Sequence, residues 1–161
     1  MTVVIPEEAR RFLDGAAKSI VIDGERRASS TEETIESHDP ATGGVVARIA
    51  AGGAEDVDAA VASSLRAFEE WRDLKPTARG RYLLDLADLV DEHADELATL
   101  ETIDVGKTFT ECRNIDMVYA GEILRYFGGW ANKITGDVLP VSPPVGDAFV
   151  YTRREPGAAA G

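Results

Sequence analysis

Residues 102–112, Thr-Ile-Asp-Val-Gly-Lys-Thr-Phe-Thr-Glu-Cys, contain the chain's single cysteine and a Gly-Lys-Thr triplet. Each suggests a definite chemistry. A phosphate loop requires Gly-x-x-x-x-Gly-Lys-Ser/Thr after a strand, because the first glycine opens the turn whose amides cradle the phosphates. Glu101 stands where that glycine belongs, and Leu97, Leu100 and Ile103 before it recur at helical spacing. Gly106 is therefore expected to end a helix, with Lys107 beside the negative end of its dipole. A cysteine nucleophile needs a neighbouring base or a helix N-terminus to become a thiolate. Glu111 and Asp116 oppose one beside Cys112, and His38 and His93 are far away in sequence. Cys112 is expected to be a buried or half-buried structural thiol.

The whole chain narrows the function classes further. Its 161 residues, 44% of them hydrophobic, have the length of one ordinary domain and can bury a core. No apolar run approaches a membrane span. The start, Met-Thr-Val-Val-Ile-Pro-Glu-Glu-Ala-Arg-Arg, has acids where a signal peptide would be apolar, which predicts a cytoplasmic protein. One cysteine excludes an intrachain disulfide and agrees with a reducing compartment. With two distant histidines it also fails to make a zinc site. The net charge of -12 repels nucleic acid and anionic membrane. Among 17 basic residues 13 are Arg and only 4 are Lys, and abundant acids with sparse lysine are typical of a salt-loaded, halophile-like cytoplasm.

The elements that would position any site follow from periodicity. Short strands are expected at residues 19–22, ending at Asp23-Gly24, at 34–38, ending at Asp39-Pro40, and at 45–49 after Thr42-Gly43-Gly44. Helices follow. Glu55-Asp56 mark a first turn, and Val57, Val61, Leu65, Phe68 and Trp71 recur at steps of three and four. Beyond Pro76, Leu83, Leu86, Leu89 and Val90 are expected inside, with Asp85, Asp88 and Asp91 outside. A third helix spans about 94–103. A long fourth helix places Ile115, Tyr119, Ile123, Phe127, Trp130 and Ile134 along one stripe. Its Gly121, Gly128 and Gly129 each cost about 1 kcal/mol relative to alanine, which is tolerated where another backbone or a ligand packs close. Residues 137–141 and 148–152 flank Ser-Pro-Pro-Val-Gly as a two-stranded ribbon, a unit that is marginal alone and open to pairing with another chain.

Five words along this order resemble the amino-terminal part of the NAD(P)-dependent aldehyde dehydrogenases. They are Asp39-Pro40-Ala41-Thr42-Gly43, Glu55-Asp56-Val57-Asp58-Ala59-Ala60-Val61, Glu101 to Lys107, Arg125-Tyr126-Phe127-Gly128-Gly129-Trp130-Ala131 and Tyr151 to Pro156. Together they cover roughly residues 17–156, in register, and the members acting on betaine aldehyde look most similar. The resemblance implies an α/β fold. Residues 1–134 would supply helices and short strands of a Rossmann-like NAD(P)-binding domain, incomplete by itself. Residues 135–156 would form the β-ribbon of an oligomerisation arm, and 157–161 a divergent tail.

The family's oxyanion asparagine, cofactor glycines, general-base glutamate and nucleophilic cysteine belong to words beyond those present here. The resemblance thus implies oxidation of a small aldehyde with NAD or NADP for the intact protein. For this chain it implies a truncated, frameshifted or incomplete segment with no catalytic and no cofactor-binding residue, and no cofactor bound by it alone. A second expectation, from a different class, is a non-catalytic remnant or assembly module that joins an intact homologue, or its own copies, through residues 135–156. Asp104 matches a position that in several relatives helps hold potassium or sodium, together with backbone carbonyls that correspond here to Ser37 and His38. A simple helix or turn cap is its other reading. Met117 matches a position lining the aldehyde tunnel, with core packing as the alternative.

Composition alone generates one prediction. Raising potassium chloride from dilute to molar should increase the helical circular-dichroism signal of this acidic chain, because screening weakens self-repulsion. Equal or better folding in dilute buffer would contradict it.

Overall fold

A computed structural model describes residues 5–155. The expected divergent tail at residues 157–161, and Pro156 of the ribbon, lie outside the described residues. Six helices, one π-helical turn and three separate antiparallel strand pairs make up the described fold. The amino-terminal helix α1 (Glu7–Leu13) was not anticipated; its acids fall in the first turn and Arg10 and Arg11 in the last, which suits the helix dipole.

Strands β1 (Ile20–Ile22) and β2 (Glu25–Arg27) pair as a hairpin across Asp23-Gly24. Both turn residues have positive φ, 59° and 75°, as the primed two-residue turn requires. Strands β3 (Thr34–His38) and β4 (Val45–Ala50) form the second hairpin, with an irregularity of register between Ser37 and His38. Lys18 adds to the edge of β4, its amide donating to the Arg48 carbonyl at 2.7 Å and its carbonyl accepting from the Ala50 amide at 2.8 Å. Asp39 holds the turn by accepting from the Ala41 amide and the Thr42 hydroxyl, bonds that also hold its carboxyl below the usual carboxylate range.

Helix α2 (Ala54–Asp73) begins on Asp56, the buried side chain that ties the first loop to the helices. One of its oxygens accepts from the Ser30 amide, the Ser30 hydroxyl and the Gly53 amide, each at 2.9 Å. The Ser30 amide foremost, then that of Gly53, keeps the carboxyl below its ordinary range. Farther along α2, Ser63 and Arg66 both reach Asp23, each at 3.1 Å, and so dock the first hairpin turn.

Helix α3 (Pro76–Glu92) starts with proline at its first turn, where the missing amide costs nothing. Helix α4 (Ala94–Val105) ends at Gly106, whose φ of 79° is left-handed and whose amide donates to Thr102. Helix α5 (Phe109–Glu111) is a single turn capped by Thr108. It runs into the π-helical turn Cys112–Asp116 and then helix α6 (Met117–Trp130).

Helices α3 and α6 lie antiparallel, Gly80 meeting Gly128 near one end and Asp91 meeting Gly121 near the other. A Cβ on Gly80 would stand 2.6 Å from the Gly128 carbonyl oxygen, so the two backbones touch. Close packing at Gly121 and Gly128 of α6 is as expected, whereas the extent of α6 and the inward face of α3 are corrected. Across the π-helical turn and α6 the buried residues are Cys112, Gly121 and Gly128, while the large apolar stripe is exposed, Ile115 at 60%, Tyr119 at 62% and Phe127 at 57%. The helix also stops before Ile134. On α3 the buried positions are Gly80 and Ala87 and Leu86 and Leu89 are exposed, whereas Asp88 and Asp91 are outside as expected, paired with Arg125 of α6 at 2.9 and 2.6 Å. The stripe of α2 is open in the same way at Val57, Val61, Leu65 and Trp71. Sequence period identifies an apolar face, but small residues decide which face another backbone can approach.

The ribbon forms as expected, but its ladder is short, β5 (Val138–Leu139) against β6 (Val150–Tyr151). Thr152 lengthens it by donating its amide to Asp137 and accepting the Asp137 amide on its hydroxyl, each at 2.8 Å.

The Gly80–Gly128 contact predicts that Gly80→Val destabilises the chain by about 1–3 kcal/mol or more, through forced separation of α3 and α6. Gly129→Ala, whose new methyl would meet nothing nearer than the Lys133 tip at 3.7 Å, should be neutral or stabilising by up to about 1 kcal/mol. Urea unfolding of the two variants checks the contrast.

Candidate functional site

The segment after α4 is held in place from both sides. On one side, Gly106 leaves room for the Asp39-Pro40 corner, since a Cβ there would fall 2.7 Å from the Pro40 ring. Left-handed φ and close approach both demand glycine. This contact brings the end of β3 to the end of α4, and the Ser37 hydroxyl donates to an Asp104 carboxylate oxygen at 2.6 Å. Two of the expected cation-site residues are thus together. The ligands expected at Ser37 and His38 are backbone carbonyls, so the His38 imidazole, 3.4 Å from the Gly43 carbonyl and 3.7 Å from the Glu36 carboxylate, bears on neither.

Ser37 and Asp104 lie in an open, mostly apolar groove of about 450 Å³, with Phe12, Ala47, Leu100 and Ile103 among its walls. The second carboxylate oxygen of Asp104 accepts no hydrogen bond among the described residues. The available donors are hard oxygens, which suit sodium or potassium. The bond to Ser37 equally satisfies the reading of Asp104 as a turn anchor. Met117 is half-buried at the start of α6 and is not part of this groove.

On the other side lies an arrangement the sequence reading missed. Lys107 donates to Asp116 at 2.6 Å and stands 4.0 Å from Glu101, so it bridges α4 and the π-helical turn. The hydrogen bond it donates to Asp116 is the main reason its own pKa is raised. Lys107 therefore serves as a counter-ion in a cluster, beyond sitting at the helix end. Glu101, Cys112 and Asp116 have their ligand atoms within 4.8 Å of one another. The Lys107 ammonium already supplies the positive charge among them, which leaves no need for a metal ion. The Cys112 side chain is fully buried, as expected of a structural thiol. A signal did exist: Cys112 and Asp116 share a helix face at i and i+4.

Gly106-Lys107-Thr108 does not fit a nucleotide phosphate. The Gly106 amide is used by Thr102 to close α4, and the Lys107 ammonium by Asp116. A phosphate loop would present both to the ligand.

The sequence model of the "Aldehyde dehydrogenase family" matches residues 27–161. This chain belongs to the aldehyde dehydrogenase family. It is 41% identical to DhaS of Bacillus subtilis (strain 168), over the whole chain and 32% of that relative's length. It is 45% identical to aldehyde dehydrogenase 1 of Tanacetum cinerariifolium, over 85% of this chain and 27% of the other. An aldehyde dehydrogenase from Bacillus cereus, solved as its NAD+ complex, superposes with a TM-score of 0.88 at 34% identity, covering 95% of this chain and 31% of that one. The chain therefore spans about a third of the length of these relatives, and its fold is the amino-terminal part of the family's fold, an incomplete domain. The apolar faces left open on α2 and α6 agree with that.

The Lys107 cluster predicts a pH dependence. Burial, then the neighbouring Asp116, raises the Glu101 pKa above the ordinary value near 4.5. Between the unfolded and the folded value the folded chain binds more protons, so stability falls as pH rises through that window. Glu101→Gln should remove this slope and be relatively more stable than the parent chain at neutral pH than at pH near 4.5. Urea melts across that range check it, and an unchanged slope would contradict it.

Proposed function

We propose that this chain is the amino-terminal part of an enzyme that oxidises a small aldehyde to a carboxylic acid with NAD or NADP. The family match across residues 27–161, together with similarity to a solved NAD+ complex, carries the reading. In that reading residues 1–134 belong to the NAD(P)-binding domain, and residues 135–156 are the arm through which subunits join. The cofactor would accept hydride from the substrate. No described residue of this chain is assigned to hold it, and the Gly106–Thr108 corner is unsuited to its phosphates.

What this chain contributes is shape. Lys107 clamps α4 to the π-helical turn, and that turn sets the start of α6 and hence Met117, an adaptable apolar wall for an aldehyde passage. Asp104, with the carbonyl oxygens at Ser37 and His38, would hold a potassium or sodium ion that fixes β3 against α4. No described residue of this chain is assigned as nucleophile, oxyanion donor or general base.

Three measurements test the reading. Mixed with small aldehydes and NAD+ or NADP+, the chain by itself should form NADH or NADPH no faster than a blank, and a rate abolished by Cys112→Ala would overturn the assignment of that thiol. The DNA following the Gly161 codon should contain the asparagine, glutamate and cysteine words, and the product of the joined frame should oxidise small aldehydes. Melting in potassium chloride should exceed that in tetramethylammonium chloride at equal ionic strength, and Asp104→Asn should erase the difference. No difference in the parent chain would remove the cation site.

A further inference from the structure

The chain contains Asp-Gly twice, at Asp14-Gly15 and at Asp23-Gly24, and contains no Asn-Gly. The dipeptide carries its own chemistry, because a glycine amide has no Cβ beside it to hinder attack on the preceding side-chain carbonyl. The structure treats the two copies differently. Asp23 sits in the turn between β1 and β2 with φ of 59°. Both of its carboxylate oxygens are held, one by the Ser63 hydroxyl and the other by Arg66, each at 3.1 Å. Asp14 instead closes α1 and is exposed, in extended backbone with φ -71° and ψ 140°. Among the described residues its carboxylate has no hydrogen-bond or ion-pair partner, and the Gly15 amide has no acceptor. Gly15, at φ 113°, has nothing within 4 Å of where a Cβ would stand, so no packed neighbour holds this corner.

We propose that Asp14-Gly15 is a site of isoaspartate formation in the folded chain, and that the fold protects Asp23-Gly24 from the same reaction. The Gly15 nitrogen bonds to Cγ of the Asp14 carboxylic acid, the Cγ–OH bond breaks, and the hydroxyl leaves with the amide proton as water. Water then opens the five-membered imide. Cleavage on the Cγ side restores aspartate. Cleavage on the backbone side leaves the chain running through Cγ, with the former backbone carbonyl as a free carboxylate. Mass and charge are unchanged, but the backbone gains one methylene. That methylene enters between two partners, since the Lys18 ammonium lies 4.8 Å from the centre of the Phe12 ring and the Lys18 backbone is bonded to β4. The rearrangement thus lengthens the link between α1 and the rest of the fold. At Asp23 the same ring closure requires the turn to open and Ser63 and Arg66 to release the carboxylate. Water is the only reagent, and the inference stands apart from the proposed aldehyde chemistry.

The test is ageing of the full chain at neutral pH, followed by digestion and electron-transfer fragmentation to count isoaspartate at each site. Conversion at Asp14 should outpace that at Asp23 by about tenfold or more, because the hydrogen-bonded turn must open first. In urea sufficient to unfold the chain the two sites should convert within about twofold of one another, since glycine follows both. Ser63→Ala combined with Arg66→Gln should speed conversion at Asp23 severalfold and leave Asp14 unchanged. Circular dichroism establishes that this variant remains folded, and if it does not, the parent chain with and without urea decides alone. Equal conversion at the two sites in the native chain, faster conversion at Asp23, none at Asp14, an undiminished preference for Asp14 in urea, or a folded double variant with Asp23 unchanged would each overturn the proposal.

Discussion

The close approach of α3 and α6 at Gly80 and Gly128 is the constraint on which the rest of the fold depends. Backbone contact of this kind is possible only where neither helix has a side chain, and it fixes the two axes closer than any pair of large residues would. Among the described residues Cys112 is the largest fully buried side chain, and the other fully or nearly buried apolar residues are alanines, Ala87 of α3 among them. Dispersion between tightly packed small groups substitutes here for the burial of large ones. The Arg125 bridge to Asp88 and Asp91 is a border of this seam and is exposed enough to add little on its own.

From that seam the arrangement passes outward. The π-helical turn sits between α5 and α6, inserting an extra residue into the helical repeat, and such turns reorient side chains relative to a continuous helix. The reorientation places Asp116 under Lys107 and Cys112 in the interior. Lys107 then ties the turn to Glu101, and Gly106, one residue earlier, ties α4 to the Asp39-Pro40 corner. Ser37 and Asp104 meet because these two ties converge on the end of one helix.

The exposed faces of α2 and α6 have a physical meaning in a chain that spans about a third of its relatives. Each large apolar side chain left in water forgoes roughly 1.5–3 kcal/mol, against a net stability of only about 5–15 kcal/mol for a whole domain. The seam and the Asp56 network hold the elements together locally, but the outer stripes are surfaces built for cover. The acidic exterior adds repulsion to that loss of cover.

The sequence by itself determined most of the elements and their order, with α1, α5 and the π-helical turn as the exceptions. Asp23-Gly24, Asp39-Pro40, Pro76 and Gly106 are local backbone constraints, and each falls where the structure turns or caps. The same local words carried the family resemblance, and the absence of a phosphate loop at Gly106 was legible from spacing alone. Tertiary structure decided which faces pack. Periodicity placed Ile115 to Ile134 and Leu86 to Leu89 on apolar faces, yet the glycine and alanine faces are the ones that meet, because close packing depends on distance between backbones and not on hydropathy. The pairing of Ser37 with Asp104 across 67 positions, and of Lys107 with Asp116 across a change of helical pitch, likewise has no local cause. Such long-range pairs exist only after the chain has folded, since they need two elements brought together by contacts that neither element encodes alone.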